Sequence, residues 1–210
     1  MLLKPNDHIL FYGDSITDAG RGQTVNNPEK LGSGYAAIVA ALLKSRYPEM
    51  NFRFTNRGIS GNRIYDLADR LERDVIDERP TLVSILIGIN DTWRRFDSNT
   101  PSPISEFKET YAALLTRLRE SLGCRILLLE PFLLPVPEDR RAWRIDLDPR
   151  IQAIRELAAT FKTGYLALDG IFAEACSRMP AEYWLPDGVH PSLAGHGLIA
   201  QRWVKYVTRS

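Results

Sequence analysis

Short apolar runs that alternate with helical patterns constrain the fold of this chain most strongly. Three of the runs are continuous: "HILFYG" at His8–Gly13, "TLVSILIG" at Thr81–Gly88 and "RILLLE" at Arg125–Glu130. Continuous apolar runs of this length are typical of strands that are buried on both faces. Two weaker candidates, Asn51–Asn56 and Tyr165–Asp169, bring the predicted strands to five.

Helical patterns lie between these strands and after the last one. The predicted helices are Gly34–Tyr47, Arg63–Asp77, one capped by Ser102 and Pro103 and closed by Gly123, one capped by Asp148 and Pro149 and stopped by Gly164, Ile171–Met179, and a last helix capped by Ser192. Regular alternation of this kind predicts an α/β fold with three α/β/α layers around a five-stranded parallel sheet. We expect the flavodoxin-like strand order and a single domain over residues 1–210.

Two segments show no regular pattern, Gly20–Gly34 and Leu133–Leu147. Long loops in compact domains are often functional, so either segment is a candidate for covering a site. A surface excursion or a contact in a homo-oligomer explains them equally well.

Composition excludes several classes of function. The 27 basic and 26 acidic residues nearly cancel, which argues against nucleic acid as a partner. The chain contains neither a P-loop nor a GxGxxG motif, so we expect no nucleotide cofactor. Cys124 and Cys176 lack metal-ligand spacing and are predicted to be reduced thiols in packing positions. No cofactor and no metal are expected.

The N-terminal residues and the hydropathy pattern bear on location. The start "MLLKPNDHILFYGD" does not have the pattern of a signal peptide. No run approaches the ~18 apolar residues that a membrane span needs. We therefore expect a cytoplasmic protein without a membrane partner; a mature secreted chain is the alternative that would show the same pattern.

Polar segments follow four of the predicted strand positions. They are "GDSIT" after the first strand, "NRGISGN" after the second, "GIND" after the third, and "LPDGVHPS" near the end of the chain. Ligands of open parallel sheets bind beyond the carboxyl ends of the strands. The sequence therefore predicts that these four segments meet at one edge.

Residues of these segments match the needs of nucleophilic catalysis. Asp187 and His190 are three apart, so the carboxylate can orient the imidazole, although a local loop hydrogen bond explains this pair equally well. Ser15 needs such a base to become a nucleophile. Without His190 as that base, a helix cap is the better interpretation of Ser15. Of the other histidines, His8 begins a strand and His196 is expected to pack or cap inside the last helix.

An oxyanion site and a substrate site complete the prediction. The Ser15 N–H, Gly61 and the Asn90 amide are candidate oxyanion donors, and turn glycines or an Asx-turn are the alternatives for Gly61 and Asn90. The candidate substrate-binding residues are Asp14, Trp93, Arg94 and Trp184. Core tryptophans and a surface arginine are the alternative for the last three.

Taken together, "GDSIT", "GISGN", "GIND" and "DGVHP" resemble the four sequence blocks of the SGNH (GDSL-like) hydrolases, in order and over nearly the whole chain. The resemblance implies the SGNH hydrolase fold, Ser15 as nucleophile, Gly61 and Asn90 as oxyanion donors, and Asp187 and His190 as the rest of a triad. Ile16 stands where the family name has Leu, a conservative departure.

Longer stretches, such as "GDSITDAGR", "NRGISGNR" and "VSILIGINDTWRRFD", resemble the bacterial acetylxylan esterase branch, which is often intracellular and oligomeric. One departure is Trp184, which lies three residues before Asp187, whereas a tryptophan adjacent to the aspartate is typical of the branch. The shape of the substrate pocket is therefore left open.

These observations predict a serine esterase that removes short acyl groups, above all acetyl, from carbohydrate esters such as acetylated xylo-oligosaccharides. The partner expected is a small acylated carbohydrate. Alternatives within the family are a broad short-chain esterase, a lysophospholipase or a thioesterase. Two other classes stay open: a metal-dependent phosphohydrolase that uses Asp14, Asp91, Asp187 and His190, and a non-catalytic carbohydrate-binding domain.

Overall fold

A five-stranded sheet, parallel throughout, forms the centre of the computed structural model, which describes residues 3–22 and 30–209. The strand order is β2-β1-β3-β4-β5. The strands are β1 (His8–Gly13), β2 (Arg53–Gly58), β3 (Leu82–Leu86), β4 (Arg125–Leu129) and β5 (Gly164–Leu166). This confirms the predicted fold class and the flavodoxin-like order.

Helices cover both faces of the sheet, because successive strand residues point to opposite sides. Ile9 and Phe11 of β1 belong to one hydrophobic cluster, and Leu10 and Tyr12 belong to the other. The helices are α1 (Ser15–Asp18), α2 (Tyr35–Arg46), α3 (Ile64–Asp69), α4 (Ile89–Asp97), α5 (Ile104–Leu122), α6 (Arg144–Thr160), α7 (Leu168–Ala175), α8 (Ala181–Trp184) and α9 (Leu193–Val207). Helices α2, α7 and α9 contribute to the first cluster, and α3 and α5 to the second. None of the helices in the described ranges is long and apolar enough to cross a membrane.

Four strands differ from their predicted bounds, β4 only in that it ends at Leu129 instead of Glu130. Strand β2 begins at Arg53, because Asn51 takes a left-handed conformation (φ +50°) that ends a short 3-10 turn. Strand β3 stops at Leu86, before Gly88 with its φ of +125°. Strand β5 ends at Leu166, because the chain turns into α7 before Asp169.

Helix α6 begins earlier than predicted. A 3-10 turn at Glu138–Trp143 leads directly into Arg144, so part of the segment predicted to be irregular is helical. Pro149 lies inside the helix instead of at its start. Because Ile145 and Pro149 are both exposed, the hydrogen bond that the proline removes falls where water can replace it.

Other helices differ in their ends or were not predicted. The pattern predicted as Arg63–Asp77 divides into α3 and a π-helical turn at Glu72–Ile76. Helix α5 begins after Pro103, because the Ser102 hydroxyl donates to Asp91 instead of capping the helix. Helix α7 starts at Leu168, before the predicted Ile171. Helices α1 and α8 have only four residues each, too few for a periodic pattern, and α4 is not among the predicted helices, although Ile89, Trp93 and Phe96 follow helical spacing.

Gly123 and Ser192 hold the predicted capping positions. Gly123 ends α5 in a left-handed conformation, and the Ser192 hydroxyl accepts from the Gly195 N–H at the start of α9. Cys124 and Cys176 are free thiols packed at the edges of the two clusters. Of the predicted irregular segment Gly20–Gly34, residues 23–29 lie outside the described ranges.

Candidate active site

Ser15 lies directly beyond the end of β1, where the chain turns sharply. Only a glycine fits at position 13, since a Cβ there would lie 2.3 Å from the Leu86 carbonyl oxygen and 2.5 Å from the Thr17 hydroxyl. Asp14 then caps α1 by accepting the Ile16 N–H at 3.0 Å. These constraints place Ser15 at the first position of α1, with a partly exposed side chain.

His190 lies against Ser15 although the two are far apart in sequence. The distance from Ser15 Oγ to His190 Nε2 is 2.9 Å, and the distance from His190 Nδ1 to Asp187 Oδ2 is 2.7 Å. With Nδ1–H donating to the carboxylate, Nε2 is left to accept from the hydroxyl. The three side chains therefore form the continuous hydrogen-bonded chain that the sequence predicts.

A tight turn fixes Asp187 relative to His190. The second carboxylate oxygen, Oδ1, accepts the N–H groups of Val189 at 3.0 Å and His190 at 2.7 Å. Gly188 has a φ of +81°, and a Cβ there would lie 2.3 Å from the Val136 carbonyl oxygen. The turn thus packs against the loop that follows β4.

Electrostatics at this pair favour an ionised aspartate and a basic histidine. Burial alone raises the pKa of Asp187, but the hydrogen bonds from His190 and Val189 outweigh it and bring the pKa to about 2. The hydrogen bond from Asp187 raises the pKa of His190, against the opposing effect of burial. A histidine held in this way is a stronger base than a free one.

Gly61 lies on the loop after β2 and Asn90 lies in the first turn of α4, and the two segments contact each other. Gly61 has a φ of +83° and open space around it, the nearest atom to a Cβ being Arg94 Nη2 at 3.9 Å. The buried Asn90 amide donates to the Asn62 carbonyl at 3.0 Å, which leaves its second N–H available. The backbone N–H groups of Ser15 and Gly61 make no hydrogen bond to any described residue.

Asp14 does not lie where a substrate can reach it. Its side chain is fully buried, and its Oδ2 has no hydrogen-bond partner in the described part of the chain. Burial raises its pKa to about 7. The prediction that Asp14 binds substrate is therefore wrong, because the carboxylate turns inward to cap the helix of Ser15.

Trp184 is also a core residue. Its indole N–H donates to the carbonyl oxygens of Ala175 at 3.1 Å and Met179 at 3.3 Å, and its side chain packs in the core. The structure contradicts the prediction that it binds substrate, since both the ring and its donor are used internally.

Trp93 and Arg94 do lie beside the site. The Trp93 ring centroid is 5.8 Å from that of His190 and 5.2 Å from that of Trp143. The Arg140 guanidinium stacks on both tryptophans, at 4.8 and 3.9 Å. Arg94 is half-exposed and pairs with Asp97. The predicted irregular segment Leu133–Leu147 thus brings Arg140 and Trp143 to the wall of the site.

Arg70 is a residue whose role the sequence did not indicate. Its guanidinium is buried and donates to the carbonyl oxygens of Gly13 at 3.0 Å and Arg57 at 2.7 Å, and to the Asn62 side chain at 2.8 Å. It also pairs with Asp74 at 2.7 Å. Arg70 therefore ties the end of β1 to the loop that carries Gly61, a contact between distant elements that local patterns do not reveal.

A cavity of about 390 Å³ opens beside Ser15. Its lining residues are Ser15, Ile16, Ala19, Ser33, His190, Pro191, Leu193 and His196.

The described residues contain no group of three or more His, Cys, Asp or Glu side chains placed to hold a metal ion. Asp91, one of the conceivable ligands, instead accepts from Ile64 N–H and the Ser102 hydroxyl.

Comparison with known proteins places the chain in a family. Residues 11–198 match the model of the GDSL-like Lipase/Acylhydrolase family. An acetylxylan esterase of Geobacillus stearothermophilus is 34% identical over 99% of this chain and 96% of its own. The crystal structure of Axe2, an acetylxylan esterase from Geobacillus stearothermophilus, superposes with a TM-score of 0.88 at 32% identity, covering 100% of this chain and 98% of that one.

A protein described as a GDSL-like lipase from Parabacteroides merdae is similar too, with a TM-score of 0.91 and 35% identity over 98% of this chain and 97% of that one. The family model covers most of the chain, and these identities extend over nearly all of it. The chain belongs to the GDSL-like lipase/acylhydrolase family and is a carboxylic ester hydrolase.

Proposed function

We propose that this esterase removes acetyl groups from acylated carbohydrates, such as acetylated xylo-oligosaccharides, through an acyl-enzyme on Ser15. The observation that carries the mechanism is the hydrogen-bonded chain from Ser15 through His190 to Asp187. A serine hydroxyl becomes a useful nucleophile when a base within hydrogen-bond reach takes its proton and a third group orients the base.

Acylation follows from this geometry. Ser15 Oγ attacks the acyl carbon while its proton moves to His190 Nε2, and the Asp187 carboxylate stabilises the imidazolium. The negative charge develops on the former carbonyl oxygen. The N–H groups of Ser15 and Gly61 and the free N–H of the Asn90 amide are the donors for that oxygen. The alcohol then leaves with the proton from His190.

Deacylation repeats these steps with water as the nucleophile. His190 takes a proton from the water, which attacks the acetyl carbon of the ester on Ser15. The same donors stabilise the second oxyanion. Collapse releases acetate and returns the proton to Ser15 Oγ, so no cofactor is needed.

The substrate class rests on the surroundings of Ser15 and on the relatives. The cavity beside Ser15 is small, at about 390 Å³, and polar groups occupy part of its wall. The Trp93 ring is partly exposed next to His190, and an indole is a ring of the kind that packs against sugars. A relative of nearly the same length is named an acetylxylan esterase, which favours an acetylated sugar over a lipid.

Initial rates with a series of esters test the substrate. We expect turnover of a peracetylated xylo-oligosaccharide and of p-nitrophenyl acetate, with kcat/KM falling as the acyl chain of the nitrophenyl ester lengthens. A preference for long acyl chains would contradict the acetyl assignment. Turnover of the nitrophenyl ester alone would agree with the mechanism and contradict the proposal of a sugar substrate.

The predicted cytoplasmic location and homo-oligomer are further parts of the proposal. Fractionation of the source cells and sedimentation velocity of the purified protein test them. Recovery in the extracellular fraction, or a monomer at all concentrations, would contradict the respective prediction.

A further inference from the structure

His196 lines the cavity beside Ser15, whereas the sequence predicts that it packs or caps inside the last helix. The backbone N–H of Tyr35 donates to His196 Nδ1 at 3.2 Å. A nitrogen that accepts a hydrogen bond carries no proton, so the proton of the neutral ring must be on Nε2. The contact between α2 and α9 therefore fixes the tautomer.

The ring is also fixed in position and in charge. A Cβ at Gly34 would lie 2.8 Å from Cε1 and 3.0 Å from Nδ1 of His196, so the start of α2 closes tightly on the ring. Burial lowers the pKa of His196 to about 4, and the nearby His190 acts in the same direction. The ring stays neutral at the pH where an esterase of this kind needs an unprotonated His190.

Nε2 is a donor without a protein partner. It makes no hydrogen bond to any residue in the ranges 3–22 and 30–209, and it is not among their buried unsatisfied atoms. The ring is only partly buried and lines the cavity. The cavity wall therefore presents one fixed, neutral N–H group to whatever enters.

The position of the cavity indicates which part of an ester it receives. The acyl oxygen must lie toward the three oxyanion donors, and of their residues only Ser15, which also carries the nucleophile, lines the cavity, whereas Gly61 and Asn90 do not. The leaving oxygen must lie beside His190 Nε2, which protonates it, and His190 does line the cavity. The cavity therefore lies on the side of the leaving alcohol.

A second polar group of the wall complements the donor. The Ser33 hydroxyl donates to the Ala19 carbonyl at 3.1 Å, which leaves its lone pairs available as acceptors. A sugar hydroxyl both accepts and donates hydrogen bonds. It can accept from His196 and donate to Ser33, whereas an alkyl or aryl alcohol uses neither.

We propose that His196 Nε2–H and Ser33 Oγ bind a free hydroxyl of the leaving sugar next to the ester, so that His196 determines specificity for polyhydroxylated alcohols. This inference rests on the proposed function. It identifies the leaving alcohol, and not the acyl group, as the part of the substrate that the cavity recognises.

The variant His196→Asn distinguishes the acceptor role of Nδ1 from the donor role of Nε2. Asn Oδ1 can replace Nδ1 as the acceptor for Tyr35, but the shorter side chain carries no donor at the place of Nε2. For a mono-acetylated methyl xyloside with a free neighbouring hydroxyl, we expect kcat/KM to fall by about tenfold or more relative to p-nitrophenyl acetate. Gln201→Ala, on the exposed side of α9, is the control and should leave that ratio at the wild-type value.

A change in the substrate turns this comparison into a double-mutant cycle between His196 and the neighbouring hydroxyl of the sugar. When the neighbouring hydroxyl of the xyloside is replaced by hydrogen, the wild type should lose about the same factor, and His196→Asn should add little further loss. Equal losses for the xyloside and the nitrophenyl ester, or fully additive losses, would overturn the proposal. Failure of the wild type to hydrolyse any acetylated sugar would instead count against the proposed function.

A spectroscopic measurement stands independently of turnover and of how well the variant folds. In ¹⁵N-histidine-labelled Ser15→Ala protein, the His196 ring should show the Nε2–H tautomer from pH 5 to pH 8, within the range expected for a neutral imidazole. Addition of methyl xyloside should shift the Nε2–H resonance. A protonated Nδ1, or no shift at saturating sugar, would contradict the proposal.

Discussion

His190 forms two hydrogen bonds to the Asp187 carboxylate, one through its imidazole ring and one through its backbone N–H. Nδ1 lies 2.7 Å from Oδ2, and the His190 N–H donates to Oδ1 at 2.7 Å. Because one carboxylate orients both the ring and the chain that carries it, Asp187 controls the basicity and the position of His190 together.

The pH profile should reflect this pairing. Asp187 raises the pKa of His190 above its usual value of 6.5, and only the unprotonated ring can accept the Ser15 proton. We expect kcat/KM to fall as pH drops through that raised pKa. In Asp187→Asn, kcat should fall by about 10⁴-fold and the acid limb of the residual activity should move to lower pH. An acid limb at the same pH in both proteins would contradict the pairing.

Asn90→Ala tests the oxyanion site. Loss of one such donor lowers kcat by ~10²–10³-fold in other hydrolases, and we expect the same here with little change in KM. The amide also donates to the Asn62 carbonyl, so the melting temperature of the variant must be measured alongside. Near-full activity in a folded variant would remove Asn90 from the mechanism.

Arg70→Met should destabilise the fold as well as the site. The variant leaves the Gly13 and Arg57 carbonyls without this donor and Asp74 without its buried partner. Removing one member of a buried ion pair typically costs ~3–5 kcal/mol, measured as the free energy of unfolding in urea. Arg73→Met is the matched control, because Arg73 pairs with the same Asp74 from an exposed position and its loss should change stability little. Equal effects of the two substitutions would argue against the role given to Arg70.

Gly188→Ala should displace the turn that carries His190. A Cβ would lie 2.3 Å from the Val136 oxygen and 2.5 Å from the Leu134 oxygen, at a φ of +81°. We expect a loss of stability of ~1–3 kcal/mol and a fall in kcat. In contrast, Gly170→Ala places its methyl group in open space at an exposed position of helix α7 and should add ~0.5–1 kcal/mol. Wild-type stability and kcat in Gly188→Ala would show that the turn tolerates a side chain.

Asp14 should make stability depend on pH. Burial raises its folded-state pKa from 3.8 to about 7, so between these values the folded protein holds a proton that the unfolded chain releases. Stability should therefore fall as pH rises through this window, on the order of a few kcal/mol. Asp14→Asn keeps the acceptor for Ile16 N–H and removes the titration. The difference in unfolding free energy between pH 5 and pH 7.5 should be smaller in the variant, and an equal difference would contradict the buried state of Asp14.

Most of the sheet and the four convergent segments could be predicted because they depend on local patterns. Continuous apolar runs located β1, β3 and β4, and the polar residues that follow them identified Ser15 and Asn90. Parallel strands bring their carboxyl ends to one edge, so the meeting of Ser15 with His190 follows from the topology.

What the sequence did not reveal depends on tertiary packing. Asp14 and Trp184 have residue types suited to a site, but their side chains turn inward, one to cap α1 and the other to donate to carbonyls near α7. His196 shows the reverse, because only the packing of α2 against α9 brings its ring to the cavity. Pro149 signals a helix start in the sequence, yet the turn before Arg144 starts the helix earlier.

The proposed mechanism requires that Ser15 is the nucleophile of a metal-independent esterase. Initial rates of wild type and Ser15→Ala with p-nitrophenyl acetate and with a peracetylated xylo-oligosaccharide, both in the presence of EDTA, test it most directly. We expect EDTA to leave the wild-type rates unchanged and the variant to lose turnover of both esters. Equal rates in the two proteins, or loss of the wild-type rates in EDTA, would contradict it.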